Sequence, residues 1–311
     1  MVKVVFMGTP EFAVSCLQSL IDYSFDVVGV VTQPDKPTGR KQVLTKPPIK
    51  ILAEELNIEV YQPIKIRNKE AIDYILAWKP EIIITAAYGQ ILPNELLETP
   101  KYKAINVHAS LLPKYRGAAP IHKSIIDGEK ETGITIMYMV KELDAGDIIT
   151  QSIVSIDTND SVGTLLDKLS QTASKLLIET LRLIENGDSV SISQDSTKAT
   201  FAPTLKREDE LICWNRTSEE IYNQIRGLNP WPVAYTFFNN DIFKIWWAEP
   251  IEYNHKRLPG TIIKVDKENL YIATKDGALN LKEVQPAGKR KMDIGSFLKG
   301  IKITLGDKMG E

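Results

Sequence analysis

The chain has 311 residues, 43% of them hydrophobic and 25% charged, with a formal net charge of −2. That length favours two domains over one, and the composition is that of an ordinary globular chain. The balanced charge excludes a global positive field for nucleic acid, so any such partner must be held by local basic patches.

Residues 2–7 form a short β-branched run that predicts a strand. Gly8-Thr9-Pro10 turns the chain, and 11–21 carries Phe12, Cys16 and Leu20 at helical spacing. Residues 26–32 again read as a strand. The stretch 33–48 reads as a loop holding Pro34, Pro37, Pro47, Pro48 and Gly39, with Lys36, Arg40, Lys41 and Lys46 against the single acid Asp35. A loop longer than about 12–15 residues inside a compact domain is uncommon and is usually functional or disordered. Helices are predicted over 48–56 and 69–78, and buried strands over 81–86, 104–108 and 135–139. Strands separated by helices of this size predict an α/β domain with a Rossmann-like, mostly parallel sheet. A long helix follows over 162–185, with Leu165, Leu166, Leu169, Leu176 and Leu177 on one stripe.

Residues 186–206 change character, being polar and without period, and read as a connection between domains. Beyond them 218–226 looks helical. Five short strand-like runs then follow at 234–238, 242–248, 261–265, 270–274 and 278–284, separated by turn residues such as Asn239-Asn240-Asp241. They predict a small β-barrel. The expected division is a first domain over 1–188, a linker over 189–206 and a second domain over 207–311. Cys16 and Cys213 have no C-x-x-C spacing, which argues against a disulfide framework or a zinc site and suits a reducing cytosol. No apolar run approaches the roughly 18 residues a bilayer span needs, and no secretory signal is expected at the N-terminus.

Chemistry concentrates after the strand at 104–108. Asn106 and His108, two apart, should project from one face at the carboxyl end of that strand, where open parallel sheets bind ligands. An amide donor beside an imidazole suits acyl transfer: the amide steadies an oxyanion and the imidazole moves protons near neutral pH. Polar side chains also cap strand ends for structural reasons. The following run Ser110-Leu111-Leu112-Pro113-Lys114-Tyr115-Arg116-Gly117-Ala118-Ala119-Pro120 must be a rigid loop, and its apolar residues either line a slot for a flat heterocycle or pack under the sheet. Leu143-Asp144-Ala145-Gly146-Asp147 has turn chemistry; the functional alternative sets Asp144 beside His108 to orient the ring. His122 and His255 read as structural or solvated. Signatures of P-loops, nucleophile elbows, zinc proteases and dinucleotide folds are absent.

Taken together and in order, Asn106-x-His108, the run Ser110–Pro120, Glu131-Thr-Gly-Ile-Thr135 and Leu143-Asp-Ala-Gly-Asp147 resemble the folate-dependent formyltransferases. The resemblance implies catalytic roles for Asn106, His108 and Asp144. It implies a folate-contacting loop of Ser110, Leu111, Leu112 and Pro113, and 10-formyltetrahydrofolate as co-substrate without a metal. Gly8-Thr-Pro-Glu-Phe-Ala13, Thr32-Gln-Pro-Asp-Lys-Pro-Thr-Gly-Arg40, Phe201-Ala-Pro203 and Arg226-Gly-Leu-Asn-Pro-Trp-Pro-Val-Ala-Tyr235 are similar to the branch of the family that formylates initiator Met-tRNA. That branch implies an OB-like second domain and tRNA contacts from the basic loop. Lys36, Arg40, Lys41, Lys206, Arg207, Lys289, Arg290 and Lys291 are the candidates here, and a cytoplasmic monomer without membrane attachment is expected. Departures are Lys114-Tyr115 where Arg-Trp is common, His122 where glutamine is common, and Gln42-Val43 where the loop is often more basic. Formylation of a small amine, or RNA binding by an inactive relative, are the alternative readings. The second domain counts against a glycinamide ribonucleotide enzyme, and the intact polar triad counts against inactivity.

Overall fold

The computed structural model describes residues 2–39 and 42–310. By contacts these form two compact units. One comprises 1–120, 131–155 and 166–203, and the other 121–130, 156–165 and 204–311. The expected division at 188 and 207 therefore differs from the packing at three places. Residues 189–203 belong to the first unit, while 121–130 and 156–165 belong to the second. For 156–165 the reason lies in buried partners: the Arg226 guanidinium donates to the carbonyls of Asp157 and Asp160 at 3.3 and 3.0 Å. Buried main-chain oxygens need such donors.

The first unit is built on strands β1 (Lys3–Gly8), β2 (Asp26–Val31), β3 (Lys36–Thr38), β4 (Val43–Thr45), β5 (Val60–Tyr61), β6 (Ile82–Ala86), β7 (Ala104–His108), β8 (Glu131–Tyr138) and β9 (Ile148–Ser155). Helices α1 (Glu11–Asp22), α2 (Pro48–Glu55), α3 (Lys69–Ala77) and α4 (Asn94–Glu98) alternate with them. The short α5 (Pro120–Ile126) and the long α6 (Val162–Asn186) complete the first half of the chain. Seven strands make one sheet in the order β5-β2-β1-β6-β7-β8-β9. From β5 to β7 the pairings are parallel, whereas β8 pairs antiparallel with both β7 and β9. The central strands are apolar on both faces, as a doubly covered parallel sheet demands; β6 is buried at all five positions. Val5, Met7, Val31, Ile75, Ile83 and Leu96 form one such layer. The chain runs outward from β1 to β5 and returns to β6 on the other side of β1, so the sheet has its switch point at the carboxyl ends of β1 and β6.

Within the stretch 33–48, read from the sequence as a loop, β3 and β4 pair antiparallel, Lys36 with Thr45, Pro37 with Leu44 and Thr38 with Val43. Prolines inside the run hide it from a pattern reading, yet an isolated two-stranded ribbon tolerates Pro on an outer edge.

In the second unit α7 (Ser218–Gly227) lies against a curled antiparallel sheet. Its strands are β10 (Tyr235–Phe238), β11 (Asp241–Ile251), β12 (Ile262–Val265), β13 (Leu270–Ala273), β14 (Ala278–Pro286) and β15 (Met292–Asp293), followed by α8 (Ile294–Lys299). The order is β10-β11-β14-β13-β12, with β15 on β14. Alternate residues point inward, so Phe243, Ile245, Ile272, Leu279 and Leu281 meet Ile221 and Ile225 of α7 in one core. All five predicted runs became strands. No helix among the described residues is long and apolar enough to cross a membrane.

Candidate active site

Asn106 and His108 leave β7 on one face near its carboxyl end, Asn106 half-buried and His108 6% exposed. Thr85 of β6 is the register partner of Asn106, and its hydroxyl donates to Asn106 Oδ1 at 2.7 Å. With its oxygen engaged, the Asn106 carboxamide has Nδ2 left as the donor for a ligand. On the other side His108 Nε2 lies 2.9 Å from the Tyr115 carbonyl oxygen. A carbonyl can only accept, so Nε2 carries a hydrogen and Nδ1 is the site at which the ring gains or loses a proton. That Nδ1 stands 3.7 Å from Asp144 Oδ2.

Neither partner of His108 arrives by local sequence. Tyr115 sits at φ 61°, a left-handed conformation that is an outlier for a bulky residue and that turns its carbonyl toward the ring. Asp144 is brought back by β8, which pairs His108 with Thr135 and Asn106 with Met137. The chain then folds over, with Tyr138 N–H donating to Asp147 O at 3.0 Å. Gly146 is obligatory in this turn, since a Cβ there would lie 1.8 Å from the Tyr138 carbonyl oxygen. Asp144 itself has φ 47°, and its Oδ2 accepts from Gly117 N–H at 2.8 Å. Gly117 (φ 116°) approaches the chain too closely for any side chain, a Cβ being 2.7 Å from Ala202 O. The carboxylate is thus held by a main-chain donor while facing the imidazole.

The Ser110–Pro113 loop is braced from below. Thr135 Oγ1 donates to Ser110 O at 2.6 Å and accepts from Leu112 N at 3.1 Å, while Gln151 Nε2 donates to Leu112 O at 2.9 Å. Ser110 Oγ donates to Lys114 O at 2.6 Å. Ser110 and Leu112 are buried, whereas Leu111 and Pro113 are half-buried. Leu111 packs where a Cβ on Gly133 would stand, 2.5 Å from its Cδ2. These polar groups point inward, so the loop offers shape and apolar side chains to a ligand. Beside it, at the end of β6, the Tyr88 carbonyl accepts from Thr9 Oγ1 at 2.9 Å and Gln33 Nε2 at 3.1 Å, tying the β1 and β6 exits together.

The basic candidates stand differently. Lys36 is exposed on the hairpin, and Arg40 and Lys41 lie outside the described residues. In the second unit Lys206, Lys289 and Arg290 are exposed. Arg207 pairs with Glu210 and lies 4.0 Å over the Tyr235 ring; Lys291 pairs with Glu283 at 2.7 Å and lies 4.9 Å over the Trp246 ring. His122 is half-buried with Nε2 unpartnered, and desolvation holds it below the usual histidine range against an opposing hydrogen bond with the Trp231 backbone. His255 Nε2 meets Gly277 O at 2.7 Å. Sequence reasoning met Thr135 only as the end of the Glu131–Thr135 motif and missed Thr85 and Gln151. Thr85 is a polar position inside an apolar strand, a weak signal; the glutamine carries none. Among the described residues no three His, Cys, Asp or Glu side chains cluster as a metal site.

A half-buried amide, a buried imidazole and a carboxylate converge at the rim of a switch-point crevice on a Rossmann-like sheet, an arrangement with the donor and the proton carrier that acyl transfer needs. The chain belongs to the formyl transferase family: residues 2–181 match its main domain and 204–302 its C-terminal domain. Its relatives include methionyl-tRNA formyltransferases. The enzyme of Bacillus subtilis (strain 168) is 55% identical over 311 residues, covering 100% of this chain and 98% of that protein. That of Bacillus mycoides (strain KBAB4) is 52% identical over 312 residues, covering 100% and 99%. Among solved structures the fold is similar to WlaRD, a sugar 3N-formyl transferase crystallised with dTDP and 5-N-formyl-THF. The TM-score is 0.65 at 24% identity, covering 93% of this chain and 99% of that one.

Proposed function

We propose that this chain transfers the formyl group of 10-formyltetrahydrofolate to the α-amine of methionine on initiator Met-tRNA. The observation that carries the reading is the convergence of Asn106, His108 and Asp144 at the β7 rim. It occurs in a chain that matches methionyl-tRNA formyltransferases end to end.

The folate supplies the formyl carbon, and Ser110, Leu111, Leu112 and Pro113 would line its slot. Asn106 Nδ2 donates to the oxygen that gains charge as the amine adds; one such donor contributes about 10²–10³ in rate. His108 Nδ1 takes the proton the amine sheds and returns one to the departing nitrogen. With Nε2 anchored on the Tyr115 carbonyl the ring cannot turn away, and the Asp144 carboxylate offers opposite charge to the imidazolium while it lasts. Water has little access to a side chain this buried, which strengthens each of these interactions.

On this reading Lys36, Arg40 and Lys41 meet the acceptor end of the tRNA, with Lys206, Arg207, Lys289, Arg290 and Lys291 contacting phosphates from the second domain. Within the described part of the second domain, Arg207 and Lys291 already have acidic partners, whereas Lys206, Lys289 and Arg290 are exposed. A chain of this kind works in the cytoplasm as a monomer.

The test is incubation with charged initiator and elongator Met-tRNA plus 10-formyltetrahydrofolate, followed by detection of formyl-methionine. Formyl-methionine on the initiator is expected. Formylation of a small amine with Met-tRNA inert would assign the chain to another branch of the family. His108→Ala and Asp144→Ala should fold normally and lose at least about 10²-fold in turnover; full turnover in either removes that residue from the mechanism.

A further inference from the structure

The stretch after α6, polar and without period, is bound into the site at both ends. Ile148 and Ile192 exchange two main-chain hydrogen bonds, of 2.8 and 2.9 Å. Ser193 Oγ donates to Asp147 Oδ1 at 2.9 Å. Further along, Thr200 Oγ1 accepts from Tyr115 N at 2.9 Å, Arg116 N donates to Thr200 O at 2.9 Å, and Ala202 N donates to Arg116 O at 2.7 Å. The segment 192–202 therefore straps the Asp144 turn to the loop that carries Tyr115 and Gly117.

Gln194 sits at the junction. Its Nε2 donates to Asp144 O and to Gly146 O, each at 2.8 Å. Its Oε1 accepts from Arg116 Nε at 3.2 Å and Nη2 at 2.6 Å. The orientation of this amide is not ambiguous: two carbonyls demand donors and a guanidinium demands an acceptor. Both amide hydrogens and the amide oxygen are used on the scaffold, so Gln194 has nothing left over for a ligand. What it holds is the main chain of a residue at φ 47°, a left-handed conformation that aspartate visits only occasionally. The Arg116 it holds lies directly before Gly117, the donor to the Asp144 carboxylate.

We infer that Gln194 is a positioning residue for formyl transfer, setting the Asp144 carboxylate against His108 by clamping the Asp144–Gly146 backbone to Arg116. This rests on the role proposed above for Asp144. Gln194 touches neither reacting group; it acts through Asp144 alone. A displacement of about 1 Å at a reacting group can cost about 10²-fold in rate.

Three full-length variants separate the possibilities: Gln194→Met, which keeps the volume without polar atoms, Gln194→Glu, which keeps an acceptor for Arg116 but loses both donors, and Asp144→Asn. Turnover is measured with Met-tRNA and 10-formyltetrahydrofolate, alongside Tm. Both Gln194 variants should lose about 10- to 100-fold in kcat with KM for either substrate within about twofold. The Gln194→Met/Asp144→Asn double variant should be no slower than Asp144→Asn alone, because the two act as a unit. Wild-type kcat in Gln194→Met, recovery in Gln194→Glu, or additive losses in the double variant would each overturn the inference while leaving Asp144 in place. Full activity of Asp144→Asn would instead remove the role of Asp144, and this inference with it.

Discussion

Asn106 turns its Nδ2 rather than its oxygen to a ligand because Thr85 has taken the oxygen. The two are register partners on neighbouring parallel strands, 2.7 Å apart from hydroxyl to carboxamide. Remove the hydroxyl and the amide loses the contact that tells its oxygen from its nitrogen. Thr85→Val keeps shape and burial, so stability should change little, but kcat should fall about fivefold, the worth of roughly 1 kcal/mol of hydrogen bonding. Thr85→Ser should restore it. Equal turnover in Thr85→Val would show that something else orients Asn106. His108 was legible as a candidate from strand spacing alone, because period two is a local property of the backbone. Its partners were not: the Tyr115 contact is made by a carbonyl, a group every residue carries, and depends on a left-handed φ that the residue type argues against.

Elements followed the sequence where the period was clean. The five runs of the second unit became strands because alternation buries one face and wets the other. Helix α7 starts where its cap places it. Thr217 Oγ1 accepts from Glu220 N–H at 3.2 Å, and Glu220 Oε2 accepts from Thr217 N–H at 2.8 Å and its hydroxyl at 2.9 Å. Those bonds hold the Glu220 carboxyl below its ordinary range, the main-chain donor foremost. A lowered carboxylate stabilises the fold above its unfolded value and stops doing so as pH falls through the folded one. Thr217→Ala should cost about 1 kcal/mol in denaturant titration at neutral pH, and less in acid as Glu220 protonates. A cost that stays constant down to the acid limb would show that the Thr217 hydroxyl contributes nothing through the Glu220 carboxylate, the main-chain donor being kept in the variant. The β3–β4 hairpin and β9 escaped the pattern reading. Three-residue strands are too short to display an alternation, and β9 alternates only between exposed and half-buried positions.

Across the whole molecule the two thiols offer a probe of global opening. Cys16 is fully buried in α1, and desolvation pushes its thiol up to about 12, whereas Cys213 is exposed. One thiol should react with a charged disulfide reagent in the native protein and two after denaturation, with Cys16 labelled only as fast as the first unit unfolds. Rapid native labelling of both would show that the helix α1 face opens on its own. The strand spacing of Asn106 and His108, the turn at Asp144, the apolar runs of both sheets and the motif order were readable residue by residue, since each is a local consequence of backbone period or turn chemistry. The packing alone decided that 121–130 and 156–165 join the second unit, that Asp144 Oδ2 halts 3.7 Å from His108, and that a polar stretch resembling a tether straps the site together. Those contacts run across tens of residues of chain, and most of them end on a main-chain group. A carbonyl or an N–H leaves no mark on the amino-acid pattern; only its position in space says what it holds.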